Sequence, residues 1–368
     1  MGRLISARDA QSQVSNGASL LPKWRKAIAD VQNGEGRARY LQIGDSITAG
    51  QTRANSWPRR IRAMLASAGV AAIDESTYCS AGNADLTAFV AYDPRWSFGS
   101  GWSLYADPGL ESLGGKPFSN NTTTDAASFT PTSAVDTFEI TYTNPAVTGV
   151  FTVDIDGAVS GSGYASVNIT SDDTLKKVTV SVGSVGTHTL NIKRVSGLVI
   201  FDAVRAYDST APAVDIMNAG WAGSRSLEWN RTGSNGWLPP ASIATAAPHL
   251  TDIMLGTNDY PAPTKTPIAT FTANIQALIT AAKASGDVRL LTPMPSSTSF
   301  AHLSDQADVM NALIGLASTN SIPLINLTTR FVDYTTLAAN GFAAGDGVHP
   351  NNAGRTDIAR SAMLGLLN

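Results

Sequence analysis

A single cysteine, Cys79, in 368 residues excludes an intrachain disulfide framework. Histidine is almost as scarce: His188, His249, His302 and His349 are the whole supply of imidazoles. No run of 18 or more apolar residues occurs, so no membrane-spanning helix is expected and no membrane partner follows. The opening MGRLISARDAQSQ lacks the apolar centre of a secretory leader. Charge is sparse, with 15% charged residues and a net charge of -3. A nucleic-acid footprint needs a basic face, so no nucleic-acid partner is expected. The 32 glycines, with abundant Ser, Thr and Asn, give a texture closer to extracellular or virion proteins than to a Lys/Glu-rich cytosolic enzyme. Localisation stays open between extracellular, virion-associated and cytoplasmic.

The same scarcity bears on metals and cofactors. His188 lies in β-like texture and His302 before a helix, and neither has the spacing of a closed zinc site. Asp154 and Asp156 share one side of a strand, where calcium could bind. A polar strand face ending in a hairpin turn accounts for them equally well. The GSGYAS stretch at Gly161 and Gly163 lacks the Lys-Ser/Thr end of a phosphate-cradling loop. No metal and no cofactor is expected.

What is present centres on Arg39–Gln51. Tyr40, Leu41 and Ile43 suit a buried strand, which Gly44-Asp45-Ser46 ends abruptly. Ser46 then falls just past the strand's carboxyl end, where open α/β sheets place their chemistry. Gly, Asp and Ser are equally ordinary turn residues, so this stretch alone also reads as a solvated turn. Near the other end, GDGVHPNNAG (345–354) sets Asp346 and His349 three residues apart in a turn-rich loop. A serine hydroxyl is a poor nucleophile until an imidazole takes its proton, and the imidazole needs a carboxylate to fix its tautomer. One loop could deliver both. A turn cap and a surface histidine are the plain alternative.

Between these ends the pattern changes twice. A helix is expected from Leu20, with Pro22 in its first turn and Trp24, Ala27, Ile28 and Val31 as its stripe. Another carries Trp57, Ile61, Met64 and Leu65, and Val70–Ile73 could begin a second strand. Residues 89–130 hold many aromatics and keep no period. From Ala134 to Tyr207 short alternating strands follow one another, with turns at Asp156-Gly157 and Asp172-Asp173. That is an all-β module, most simply a sandwich or jelly roll. Strands then alternate with helices again: Val214–Met217, His249–Leu255, Val288–Leu291 and Ile322–Leu327 are the strands. Helices are expected over Ile268–Ile279, opened by Thr266-Pro267, and over Leu303–Ala317. Strands spaced by helices argue for a parallel sheet covered on both faces. The division is an N-terminal arm at 1–19, an α/β domain at 20–87 and 209–368, and an inserted β-module at 88–208.

Four short blocks stand in order along the α/β parts: Gly44-Asp45-Ser46-Ile47-Thr48, NAGWAG from Asn218 to Gly223, Gly256-Thr257-Asn258-Asp259, and Asp346 to His349. Together they resemble the SGNH hydrolases, the GDSL-like esterase/lipase superfamily. The resemblance implies a three-layer α/β/α, flavodoxin-like fold. It implies Ser46 as nucleophile, His349 as base and Asp346 as its orienting carboxylate. The Ser46 N–H, Gly223 and Asn258 would be the oxyanion donors. Asp259 reads as a loop holder. Ile47 stands where the family usually has Leu, and the long gap between the first and second blocks implies the insertion. The activity implied is ester hydrolysis through an acyl-enzyme, on a small ester or an acetylated glycan. Trp221, Trp229 and Trp237, with Trp96, Trp102 and Tyr105, offer flat faces that could stack on sugars, and they favour O-deacetylation of a glycan. A lipase or thioesterase is one alternative. A non-catalytic glycan-binding or virion protein on an esterase-like scaffold is the other.

Overall fold

The computed structural model describes residues 14–15, 20–105, 109–143, 147–231, 237–261, 263 and 265–367. Of the expected arm at 1–19, only the edge strand Val14–Ser15 falls among them.

The central sheet has the spatial order Val14–Ser15, Leu324–Ile325, Asp287–Leu291, Leu250–Met254, Arg37–Gly44, Ala213–Gly220, Ala72–Ile73. All neighbours are parallel except the Val14–Ser15 edge. The five main strands, numbered along the chain, run 2-1-3-4-5, the doubly wound order of flavodoxin-like folds. The second of them is Ala213–Gly220. Val70–Ile73 supplies only the outer two-residue strand, because the chain leaves the sheet there for the insertion. The expected strand over Ile322–Leu327 is likewise only Leu324–Ile325, and Leu327 opens a short helix. The strands read as continuous apolar runs because both faces are covered.

Alternate residues go to opposite faces. Leu41, Ile43, Met217 and Ile253 pack under the helices Ile268–Ser285 and Leu303–Asn320, through Phe271, Ile275, Leu278 and Leu313. Tyr40, Val214, Ile216 and Leu250 pack against Pro22–Gln32, Trp57–Ser67 and Asn352–Ala362, through Trp24, Ile28, Trp57, Ile61 and Ile358. Three layers, α/β/α, result. One detail differs from the sequence pattern: the Ile268–Ser285 helix begins directly after Pro267, and Thr266 makes no cap.

The insertion is a β-sandwich. One antiparallel sheet runs Tyr164–Ile169, Gly149–Ile155, Leu190–Gly197, Ala126–Phe129, Trp96–Phe98. The other runs Leu175–Gly186, Val135–Thr143, Val199–Tyr207, Phe118–Asn120, Trp102–Leu104. Their inner faces share one core. The aperiodic 89–130 stretch is therefore part of the sandwich, its aromatics filling that core: Trp96 stacks on Phe201 at 5.5 Å and on Phe118 at 5.7 Å.

The module is joined to the α/β domain by more than a linker. Ser76–Tyr78 pairs with Val199–Tyr207 in the second sandwich sheet. The Leu86–Tyr92 helix spans the expected 87/88 division and buries Phe89 in the sandwich core. Glu75 accepts bonds from the backbone N–H and hydroxyl groups of Thr132 and Ser133. Buried Asp215, on a central strand, receives Arg37 at 2.5 Å and the module's Arg205 at 2.8 Å. Removing one partner of a buried charge network leaves the others uncompensated, at about 3–5 kcal/mol. Asp215→Ala should lower the urea midpoint to match a loss of that size, whereas a change at exposed Lys26, whose pair with Asp30 is solvent-screened, should leave the midpoint essentially where it is.

Candidate active site

Ser46 opens the short Ser46–Ala49 helix at the end of the Arg37–Gly44 strand. Asp45 caps it, its carboxylate accepting the Ile47 N–H at 2.9 Å. In register, Gly44 lies beside Gly220 on one side and Met254 on the other. The loops carrying Ser46, Gly223 and Asn258 therefore leave adjacent strands at the same carboxyl edge.

His349 reaches Ser46 from the far end of the chain. Its Nε2 is 2.8 Å from Ser46 Oγ, and its Nδ1 is 2.7 Å from Asp346 Oδ2. The other Asp346 oxygen accepts the N–H groups of Val348, at 3.0 Å, and His349, at 2.8 Å. Partial burial pushes the Asp346 carboxyl up, but those two N–H groups and the imidazole outweigh it and hold it at about 2. It is thus a carboxylate at any pH where an ester would be cleaved. The side chains of His349 and Asp346 are 32% and 48% exposed, so the site opens onto the surface.

Two groups that sequence reasoning missed hold this loop. The Gly347 N–H donates to the Tyr334 hydroxyl at 3.1 Å, and its carbonyl accepts the Ser297 N–H at 2.8 Å. Neither residue belongs to a short motif, and only the folded chain brings them together.

Gly223 has φ +77°, a backbone region that favours glycine. Neither its N–H nor that of Ser46 meets an acceptor among the described residues. Asn258 spends one amide hydrogen on the Ser224 carbonyl at 2.9 Å, which ties it to the Gly223 turn and leaves its second hydrogen for a ligand. The Asp259 carboxylate accepts the Ser226 N–H and hydroxyl, so it holds the same turn. Asn218 ties the second block to the Ser46–Ala49 helix, donating to Thr48 O at 3.2 Å. The module contributes too: the Tyr92 hydroxyl donates to Ala49 O at 2.9 Å.

The tryptophan expectation is overturned. Trp96, Trp102, Trp221, Trp229 and Trp237 are all at most 8% exposed. Trp96 and Trp102 belong to the sandwich core, Trp221 packs on Trp229, and Tyr105 packs on Trp237. Aromatic side chains bury large apolar area, and here that outweighs any use as an open platform. Of the groups weighed for metals, His188 pairs with Asp156 at 2.6 Å, and Asp154 with Lys193 at 2.8 Å. Beyond Asn258, a cavity of about 120 Å³ is lined by Tyr260, Met294, Leu303, Met310, Val332 and Tyr334, and is mostly apolar.

Residues 202–356 match the GDSL-like lipase/acylhydrolase family. That stretch contains Gly223, Asn258, Asp346 and His349; Ser46 precedes it. No curated protein matches the chain. Among solved structures, a peptidoglycan O-acetylesterase superposes with TM-score 0.70 at 16% identity, over 96% of this chain and 97% of its own. The likeness therefore includes the fold of both the α/β domain and the sandwich. A lipase/acylhydrolase from Enterococcus faecalis gives TM-score 0.34 at 19% identity, over 41% of this chain and 74% of its own. An acetylxylan esterase from Geobacillus stearothermophilus gives 0.34 at 16%, over 42% and 73%.

Asp45 gives the site a pH signature. Burial raises its carboxyl to about 6, against the opposing pull of the Ile47 N–H, the Thr257 hydroxyl and His349, while Asp259 adds to the rise. A folded pKa above the free value of 3.8 means that the protonated form favours the folded chain. That stabilisation is complete below about pH 4 and is lost as pH rises through about 6. Asp45→Asn removes this titration while retaining an oxygen for the Ile47 N–H. The melting temperature of wild type relative to the variant should fall from about pH 4 to 6 and then level off. A flat difference across that window would remove Asp45 as its source.

Proposed function

We propose that the chain, whose residues 202–356 match the GDSL-like lipase/acylhydrolase family, is a carboxylic ester hydrolase of SGNH type that removes O-acetyl groups from a glycan, with Ser46 as nucleophile. The observation that carries the assignment is the continuous chain of contacts Ser46–His349–Asp346 beside unspent donors at Ser46, Gly223 and Asn258. His349 takes the Ser46 proton as Oγ attacks the ester carbonyl, and Asp346 holds the imidazole in the tautomer that can accept it. Charge then builds on the carbonyl oxygen, and the Ser46 and Gly223 N–H groups and the Asn258 amide are the donors proposed to receive it. The tetrahedral intermediate collapses as His349 returns the proton to the leaving alkoxide. Water, deprotonated by His349, releases acetate from the acyl-enzyme.

Two things support a glycan as the alcohol part. The acid–base pair is surface-open, as a polymer requires, because a chain cannot enter a closed pocket end-on. The solved structure with TM-score 0.70 is a peptidoglycan O-acetylesterase with the same pairing of α/β domain and sandwich. A second reading, a longer-chain acyl hydrolase, is favoured by the apolar cavity beyond Asn258, whose Met294, Leu303 and Met310 would suit an apolar group.

A serine-directed phosphonate should label Ser46 alone, located by mass spectrometry, and Ser46→Ala should lose both labelling and turnover. Asp346→Asn should lower kcat by roughly 10⁴-fold with the protein still folded. Acetate release from O-acetylated glycans should exceed hydrolysis of esters with eight or more acyl carbons, about tenfold or better in kcat/KM. The opposite order would favour the second reading.

A further inference from the structure

We propose that the inserted β-module positions the oxyanion donor at Gly223, through its Ser112–Lys116 turn and the Cys79–Gly82 turn stacked beneath it. The role given to Gly223 rests on the function proposed above; the packing does not.

The contacts run in one line from module to site. Ser112 and Gly115 close the first turn on itself, with N–H···O bonds of 2.8 and 3.1 Å. Ser112 Oγ is 2.7 Å from Ser242 Oγ, on a helix of the α/β domain, and Leu113 is buried in that domain's core. Lys116, at the end of the same turn, accepts the Ser80 N–H at 3.0 Å through its carbonyl, while the Cys79 N–H donates to Asp202 O on a sandwich strand at 2.7 Å. The second turn is therefore held from the module on two sides. It in turn holds the oxyanion loop: the Ala222 N–H donates to Ala81 O at 3.1 Å. Gly223 follows immediately.

Backbone geometry marks this stack as over-determined. Cys79 and Ala81 lie at φ +43° and +51°, where non-glycine residues persist only if their surroundings insist. Gly82 leaves no room for a side chain: a Cβ there would lie 2.6 Å from both the nitrogen and the oxygen of Ala222. A Cβ on Gly115 would lie 3.3 Å from Gly82 N and 3.4 Å from Trp221 Cδ1. The Gly82 backbone packs directly on Ala222, and Gly115 packs on Gly82, with the Ser80 hydroxyl and the Trp221 ring filling the side of the stack. An oxyanion donor works only within a few tenths of an ångström of its hydrogen-bonding distance. Any shift in the module's turn is thus passed to the Gly223 N–H. The insertion is a working part of the catalytic edge and more than a polymer-binding attachment.

The test uses the full-length chain. Gly115→Ala introduces a tight contact in the stack, and Gly82→Ala a severe one. Gly183→Ala, in a sandwich strand, is the control for a left-handed glycine outside the stack: its φ of +73° is close to the +82° of Gly82, against +114° at Gly115, and nothing lies within 4 Å of its Cβ. On a small soluble acetyl ester, kcat should fall about tenfold in Gly115→Ala and about a hundredfold in Gly82→Ala, with KM within about twofold of wild type. An aryl trifluoromethyl ketone, whose serine adduct carries the oxyanion, should lose affinity in proportion to kcat/KM. Gly183→Ala should match wild type in both. Amide exchange at Ala222–Ser224 should quicken in Gly115→Ala and not in Gly183→Ala. If Gly82→Ala does not fold, Gly115→Ala decides. A folded Gly115→Ala with wild-type kcat and ketone affinity overturns the proposal, as does an equal loss in Gly183→Ala. If wild type hydrolyses no ester, the proposed function fails, and the exchange comparison alone still decides whether the module holds the loop.

Discussion

The site depends on a close approach of backbones at the carboxyl edge of the sheet. A Cβ on Gly44 would lie 2.1 Å from Thr48 Oγ1 and 2.8 Å from Met254 O, and one on Gly220 would lie 2.1 Å from Ala49 N. Two side chains are therefore missing where the Ser46–Ala49 helix folds back over the strand ends. Because the three central strands are parallel and in register, the chain must leave all of them at that edge. Ser46, Gly223 and Asn258 meet there as a consequence of topology, and the Asp346–His349 loop closes over them from the last helix.

The insertion interrupts the chain between the first and second main strands without disturbing that register. Its ends are tied down by polar contacts at the seam. Glu75 is held well below the ordinary range, at about 2: burial opposes ionisation, but Arg95, the Thr132 and Ser133 hydroxyls and Arg53 prevail. Asp202, buried on the module's inner strand, moves the other way, to about 7, because burial outweighs the hydroxyls of Thr143 and Ser112. The seam thus mixes a paired, ionised carboxylate with one favoured neutral. Such a joint is rigid and specific, unlike a flexible tether between independent domains.

Side-chain burial also redirects the functional reading. The tryptophans that looked like a sugar platform are spent on cohesion, and the apolar cavity beyond Asn258 is built from Tyr260, Met294, Leu303, Met310, Val332 and Tyr334, which lie far apart in the chain. What remains in favour of a glycan is the surface-open His349–Asp346 pair and the two-part architecture shared with the O-acetylesterase structure.

Much of the molecule was legible in the linear pattern. Tyr40, Leu41 and Ile43 before Gly44, and the 3.6-residue stripes of Trp57–Ser67 and Ile268–Ser285, are local signals, and local signals survive without a fold. Ser46, His349 and Asp346 stood out as candidates because each sits in a turn of unusual composition, and the fold brings the three into contact. The sequence also announced an all-β insertion by its alternation. Only the tertiary structure decided that Ala213–Gly220, and not Val70–Ile73, is the neighbour of the nucleophile strand, since strand order depends on contacts across some 170 residues. It alone decided that the tryptophans are buried, that Tyr334 and Ser297 hold the Asp346–His349 loop, and that the Ser112–Lys116 turn packs through Cys79–Gly82 toward Ala222. Those contacts join residues with no shared period and no local motif, so they exist only once the chain has closed on itself.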